Sequence, residues 1–85
     1  MKEICICAAV KDKQGNIWRG QRHGDCMIAI INAEREIDNG SQGFMTSRNR
    51  FVDRHEGFKL QKEAGIKSVA IGGYRGEILF SEDLY

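Results

Sequence analysis

The 85 residues include thirteen basic and twelve acidic side chains, a formal charge of +1, with 41% hydrophobic residues, 29% charged residues and no proline. So even a balance excludes a general nucleic-acid binder, which relies on a strong sequence-independent grip on phosphates, and the composition excludes a disordered chain. With no apolar run near the ~18 residues that span a bilayer, no signal peptide and an odd number of cysteines, the sequence predicts one domain over residues 1–85, in a reducing cytoplasm and away from membranes.

A chain this short buries a small share of its surface, and self-association is a common remedy, so a homo-oligomer is expected. EICICAAV, residues 3–10, alternates and then runs apolar, which predicts a strand. DKQGN supplies a tight turn and IWRG a second strand, giving a hairpin. Cys5 and Cys7 are two apart and on a strand share a face, as small buried hydrophobes. The alternative is a metal site in which His23 and Cys26 join them.

Asp25 then stands where a helix N-cap belongs. Met27, Ile30, Ile31, Ala33 and Ile37 follow near helical spacing, and Asn39 and Gly40 end the helix. SQGFMTSRNRFV reads as a connection with extended character at 44–47. Asp53, with Glu56 three residues on, fits a capping box, so a second helix starts there and runs to a left-handed Gly65. Gly57 inside it costs about 1 kcal/mol relative to alanine and marks close approach of another backbone or a ligand. Residues 67–71 and 77–80 read as strands around Gly72, Gly73 and Gly76. The order is strand, strand, helix, helix, strand, strand: an α+β fold, a small antiparallel sheet packed with two helices, homo-oligomeric.

Helix N-termini favour anions. The first helix follows Arg22 and His23; the second follows Thr46, Ser47, Arg48 and Arg50, with Arg54 in its first turn. Arginine there opposes the helix dipole unless an anion compensates. Thr46, Ser47, Arg50 and Arg54 offer what a phosphate needs, and Trp18, Phe44 and Phe51 offer flat partners for a base. Competing readings stay open. Arg50 and Arg54 also suit pairing with Glu82 and Asp83 across a subunit contact, the phenylalanines suit a core, and Trp18 suits hairpin packing. His23 with Asp25 suits a base and its orienting carboxylate, hence a nucleotide-cleaving enzyme. The glycines at 72, 73 and 76 lack the helix and lysine of a phosphate loop.

MKEICICAAVK, GQRHGDC, GFMTSRNRFVDR and LFSEDLY, in that order, together resemble the first-described sponge proteins with which phages counter the bacterial Thoeris defence, over nearly the whole chain. The resemblance implies a non-enzymatic protein in the cytoplasm of the infected host. It would sequester cyclic ADP-ribose isomers (gcADPR) made by TIR-domain enzymes, without cofactor or metal. Some members also bind cyclic oligonucleotides, and members assemble as homo-oligomers, here a dimer or hexamer, with pockets at subunit contacts. On this basis Trp18 and Phe51 stack the adenine, Arg50 and Arg54 take the pyrophosphate, and Asn32, Thr46 and Ser47 hold ribose hydroxyls. Arg22 or His23 lies near the ligand or a subunit contact. HEGF after RFVDR departs from the usual Glu-Glu-Ala type of continuation, which places His55 and Gly57 at the pocket's edge or in its pH response. A structural phage oligomer without a ligand is the remaining alternative.

Overall fold

The computed structural model describes residues 2–85, with the backbone alone at 39 and 40. CICAAVKD forms β1 (Cys5–Asp12), in which Ala8, Ala9 and Val10 are wholly buried. Apolar side chains in succession suit a strand covered on both faces. The turn that follows leads into β2 (Ile17–Gly20), antiparallel to β1 with Val10 opposite Trp18, the expected hairpin. Asp12 shapes the turn: its carboxylate accepts the Gln14 and Asn16 N–H groups, each at 2.9 Å, and the Trp18 Nε1–H at 3.0 Å. Burial raises the Asp12 pKa, but these donors outweigh it and leave the group below its ordinary value.

Cys5 and Cys7 do not follow simple alternation. The register shifts between them, Cys5 pairing with Thr46 and Cys7 with Met45. The irregularity leaves Cys5 buried, Ile6 exposed and Cys7 half-buried. All three cysteines are free, and no cluster of metal-ligating side chains forms among the described residues.

The first helix is shorter than its apolar spacing suggests. In α1 (His23–Asn32) the N-cap is Arg22, and Asp25 lies in the first turn, where its charge suits the helix dipole. The helix stops because Glu34 takes a left-handed φ of 59° and the exposed Glu34, Arg35 and Glu36 have nothing apolar to bury. The chain reverses into β3 (Ile37–Thr46). Ile37, expected on the helix, packs against Val10, Cys26 and Ile30. Thus the segment expected as a connection is mostly strand, and β3 pairs with both β1 and β4 (Phe51–Asp53). The sheet is four-stranded and antiparallel, in the order β2-β1-β3-β4.

Asp53 caps α2 (Arg54–Glu63) as predicted, its carboxylate accepting the Glu56 N–H at 2.8 Å. Gly65 follows with φ 73°. Beyond it the two expected strands are absent. Gly72, Gly73 and Gly76 hold positive φ and break the segment into turns. The tail instead returns to the start of α2: the Leu79 N–H donates to the Arg54 carbonyl at 3.0 Å, and Leu79 joins Cys5, Phe44 and Val52 in the core. Phe44 meets His23 of α1 on its edge and lies beside Gly57 of α2, so both helices cover one face of the sheet. The α+β class with two helices on an antiparallel sheet therefore holds, in the order strand, strand, helix, strand, strand, helix.

Gly57 sits where α2 meets this core. A Cβ there would lie 3.2 Å from Leu79 Cδ2 and 3.3 Å from both Cys5 Sγ and Phe44 Cδ2. The close approach is to the chain's own core. Gly24, in the exposed first turn of α1, has nothing within 4 Å of a Cβ. Gly57→Ala is therefore expected to destabilise the fold, since an overpacking cost of about 1 to 3 kcal/mol exceeds the helical gain. Gly24→Ala should stabilise it by about 0.5 to 1 kcal/mol. Urea unfolding of the two variants checks the opposite signs, and equal effects would contradict this packing.

Candidate functional site

Arg54 opens α2 and turns its guanidinium toward the sheet and the tail. Nη1–H donates to the Leu79 carbonyl at 3.0 Å, and Nη2–H donates to Gln42 Oε1 at 2.9 Å and to His23 Nδ1 at 3.4 Å. A guanidinium has five N–H donors. Three are engaged, which leaves the Nε–H and one Nη1–H. Among the described residues no carboxylate comes within 4.0 Å of Arg54. Burial lowers its pKa and the field of Glu82 opposes that, yet arginine stays charged at any ordinary pH. A half-buried cation at a helix start, with no carboxylate within 4.0 Å, is unfavourable twice over and is relieved by an anion.

His23 holds Arg54 from the other side. Its Nε2–H donates to the Gly43 carbonyl at 2.8 Å, which leaves the Nδ1 lone pair to receive Arg54. The ring meets Phe44 edge to face at 5.1 Å. Burial pushes the His23 pKa down, the Gly43 carbonyl opposes, and the Arg54 charge lowers it further. Gly43 is itself constrained: a Cβ there would come within 2.0 Å of the Val52 carbonyl oxygen and 2.8 Å of the Phe51 ring. Only glycine lets β4 and Phe51 lie this close.

Arg54 also lines a groove of about 400 Å³ with Gln42, Asp53, His55 and Ile78. Phe80 connects this groove to a second cation, with Arg54 5.3 Å and Arg75 4.5 Å from its ring centroid. Gln42, Arg75 and Phe80 escape a reading of the sequence. Their one signal is an arginine between glycine turns, and its meaning depends on how the tail folds back.

The other residues singled out in the sequence divide into separate places. Arg22 donates to the main-chain oxygens of Ser81 at 2.8 Å and Tyr85 at 2.6 Å. Trp18 packs beside Val10, Cys26 and Ile30. Phe51 carries Lys11 Nζ 4.6 Å from its ring centroid. Asn32 is exposed at the far end of α1, roughly 14 Å along the axis from His23. Thr46, Ser47 and Arg50 gather around the start of the chain instead: Thr46 donates to Glu3 at 2.5 Å, and Ser47 Oγ accepts the Ile4 N–H at 3.0 Å. Arg50 grips Glu3 with two bonds of 2.7 Å and reaches Glu56 at 3.3 Å. Hydrogen bonds from Arg50 and then Thr46 pull the Glu3 pKa down to about 2. Arg50 is thus matched within the chain, and Asp83, a suggested partner, instead accepts the Ser68 hydroxyl at 2.5 Å and the Phe80 N–H at 2.8 Å.

The model of one known family matches residues 4–85, nearly the whole chain, and its description is the phage T4 y16D protein. The chain belongs to this phage protein family. No curated protein and no solved structure matches it. No helix among the described residues of this y16D-family chain is long and apolar enough to cross a membrane.

The site of this y16D-family protein carries a pH signature. Protonating Nδ1 of His23 would set two positive groups face to face, so folding favours the neutral ring. The stability that His23 lends is present above its ordinary midpoint of 6.5 and is lost as pH falls through the lower folded value. Glu3 acts in a separate window, from its ordinary 4.5 down to about 2. A proton-NMR titration of the imidazole should place the His23 midpoint below 6.5. A midpoint at or above that value would contradict the tautomer assigned here.

Proposed function

We propose that this phage protein is a sponge for cyclic ADP-ribose isomers (gcADPR) made by TIR-domain enzymes of the Thoeris defence. It acts in the cytoplasm of the infected host, holding the signal in a homo-oligomer without cleaving it. The observation that carries this reading is Arg54, a half-buried guanidinium without a carboxylate partner that lines an open groove. A pyrophosphate supplies the missing negative charge and accepts the two remaining N–H groups. Arg75, held to the same Phe80 ring, adds a second cation, and the Gln42 amide, Asp53 and His55 offer hydrogen bonds to sugar hydroxyls.

The resemblance of four sequence elements to the Thoeris sponges and the membership of a phage family support the same reading. Sequestration rather than turnover is favoured by the state of His23. Both its nitrogens are engaged within the fold, whereas a general base must point a lone pair at its substrate. Ile28 and Ile31, 59% and 60% exposed on the outer side of α1, suit burial against a second copy.

Calorimetric titration with gcADPR tests the reading. The wild type should bind. Arg54→Lys keeps a charge but loses the planar fork, and should weaken binding by about 1.5 to 3 kcal/mol, ten- to a hundredfold in Kd. Arg75→Ala, at an exposed position, should weaken binding severalfold without changing the melting temperature. Absence of binding by the wild type, or equal binding by all three proteins, would contradict the proposal.

A further inference from the structure

A second cavity, also of about 400 Å³, lies between the end of α2 and the glycine-rich tail, where Lys62, Ile66, Lys67, Ser68 and Tyr74 line it with two glycines. It shares no lining residue with the Arg54 groove. Two of the chain's lysines converge on it. Lys2 donates to the Glu63 carbonyl, Lys11 lies over Phe51, and Lys13 pairs with Glu36. Lys62 and Lys67, like Lys59 outside the cavity, have no partner among the described residues, and no carboxylate is among the residues that line the cavity.

Its two hydroxyl hydrogens are spent within the chain, so the donors left are the ammonium groups and main-chain amides. The Ser68 hydroxyl hydrogen goes to Asp83 and its oxygen accepts the Ala70 N–H at 3.0 Å, while the Tyr74 hydroxyl donates to the Ile66 carbonyl at 2.5 Å. The main-chain N–H groups of Lys67, Ser68 and Tyr74 have no partner among the described residues. Two ammonium groups and unpaired amides select an anion, the buried Asp83 carboxylate behind Ser68 being already engaged by the Ser68 hydroxyl and the Phe80 N–H. The remaining walls are apolar and flat. Tyr74 is fixed edge-on against Phe58, ring centroids 5.3 Å apart, and Ile66 adds aliphatic surface. The volume is that of a small organic ligand rather than of an inorganic ion alone.

We propose that this cavity is a second anion site, which takes a phosphate monoester carried on a flat ring, the phosphate between Lys62 and Lys67 and the ring against Tyr74. Nothing in this proposal depends on the Arg54 groove or on its ligand. Two lysines match a dianion, and a phosphate monoester gains its second charge near pH 6, so binding should weaken as pH falls below about 6.

Phenyl phosphate is the probe, followed by amide nitrogen–proton NMR, with inorganic phosphate and phenol as the two halves of the ligand. Phenyl phosphate should move the signals of residues 65–74 and bind at least tenfold more tightly than either half. Lys62→Gln combined with Lys67→Gln, both at exposed positions, should lower that affinity at least tenfold while the rest of the spectrum stays unchanged. Movement confined to the surroundings of Arg54 and His55, binding of inorganic phosphate as tight as that of phenyl phosphate, or unaltered affinity in the double variant would overturn the proposal.

Discussion

The imidazole of His23 stands between a carbonyl that demands a donor and a cation that demands an acceptor. Gly43 takes the Nε2–H, Arg54 gives an N–H to Nδ1, and only the neutral ring in one tautomer satisfies both. The contact joins the first residue of α1 to the middle of β3 and the first residue of α2. Arg54 passes the constraint on through Leu79, whose carbonyl it binds and whose side chain fills the core between Cys5, Phe44 and Val52. The tail lies over α2 because this chain of bonds has an end to hold. One consequence is preorganisation. The guanidinium is placed before any ligand arrives, so binding need not order it.

Two arginines four residues apart illustrate how charge acquires a role. Arg50 meets Glu3 in a bidentate pair and adds Glu56, so its charge is answered within the chain and serves to clip the residues before β1 onto the β3–β4 turn. Arg54 receives neutral partners only: an amide oxygen, a carbonyl and an imidazole nitrogen. Neutral acceptors satisfy geometry without cancelling charge, and the field that remains is what an anion responds to.

Local physics made part of this molecule legible in its sequence. The hairpin follows from DKQGN between two apolar runs, the start of α2 from the Asp53 carboxylate, and its end from Gly65. What the sequence hides is long-range. Ile37 keeps helical spacing with Ile30, yet the left-handed Glu34 sends it into a strand packed on the same cluster. The partner of Arg50 is 47 residues away in Glu3, and Arg75 reaches Phe80 only after three left-handed glycines have turned the tail. Gly57 announced a close approach, while Leu79, which approaches it, belongs to a segment whose spacing suggests a strand. For the candidate site, arginine at a helix start was readable; which arginine lacks an acid was not.

Anion capture without turnover is the central claim, and recovery of the captured molecule tests it most directly. The purified protein is incubated with the cyclic ADP-ribose isomers of a TIR-domain enzyme, freed of unbound nucleotide and heated, and the released material is identified by mass and retention time. The account predicts recovery of the unchanged cyclic molecule. Release of a cleaved product, or of nothing at all, would contradict it.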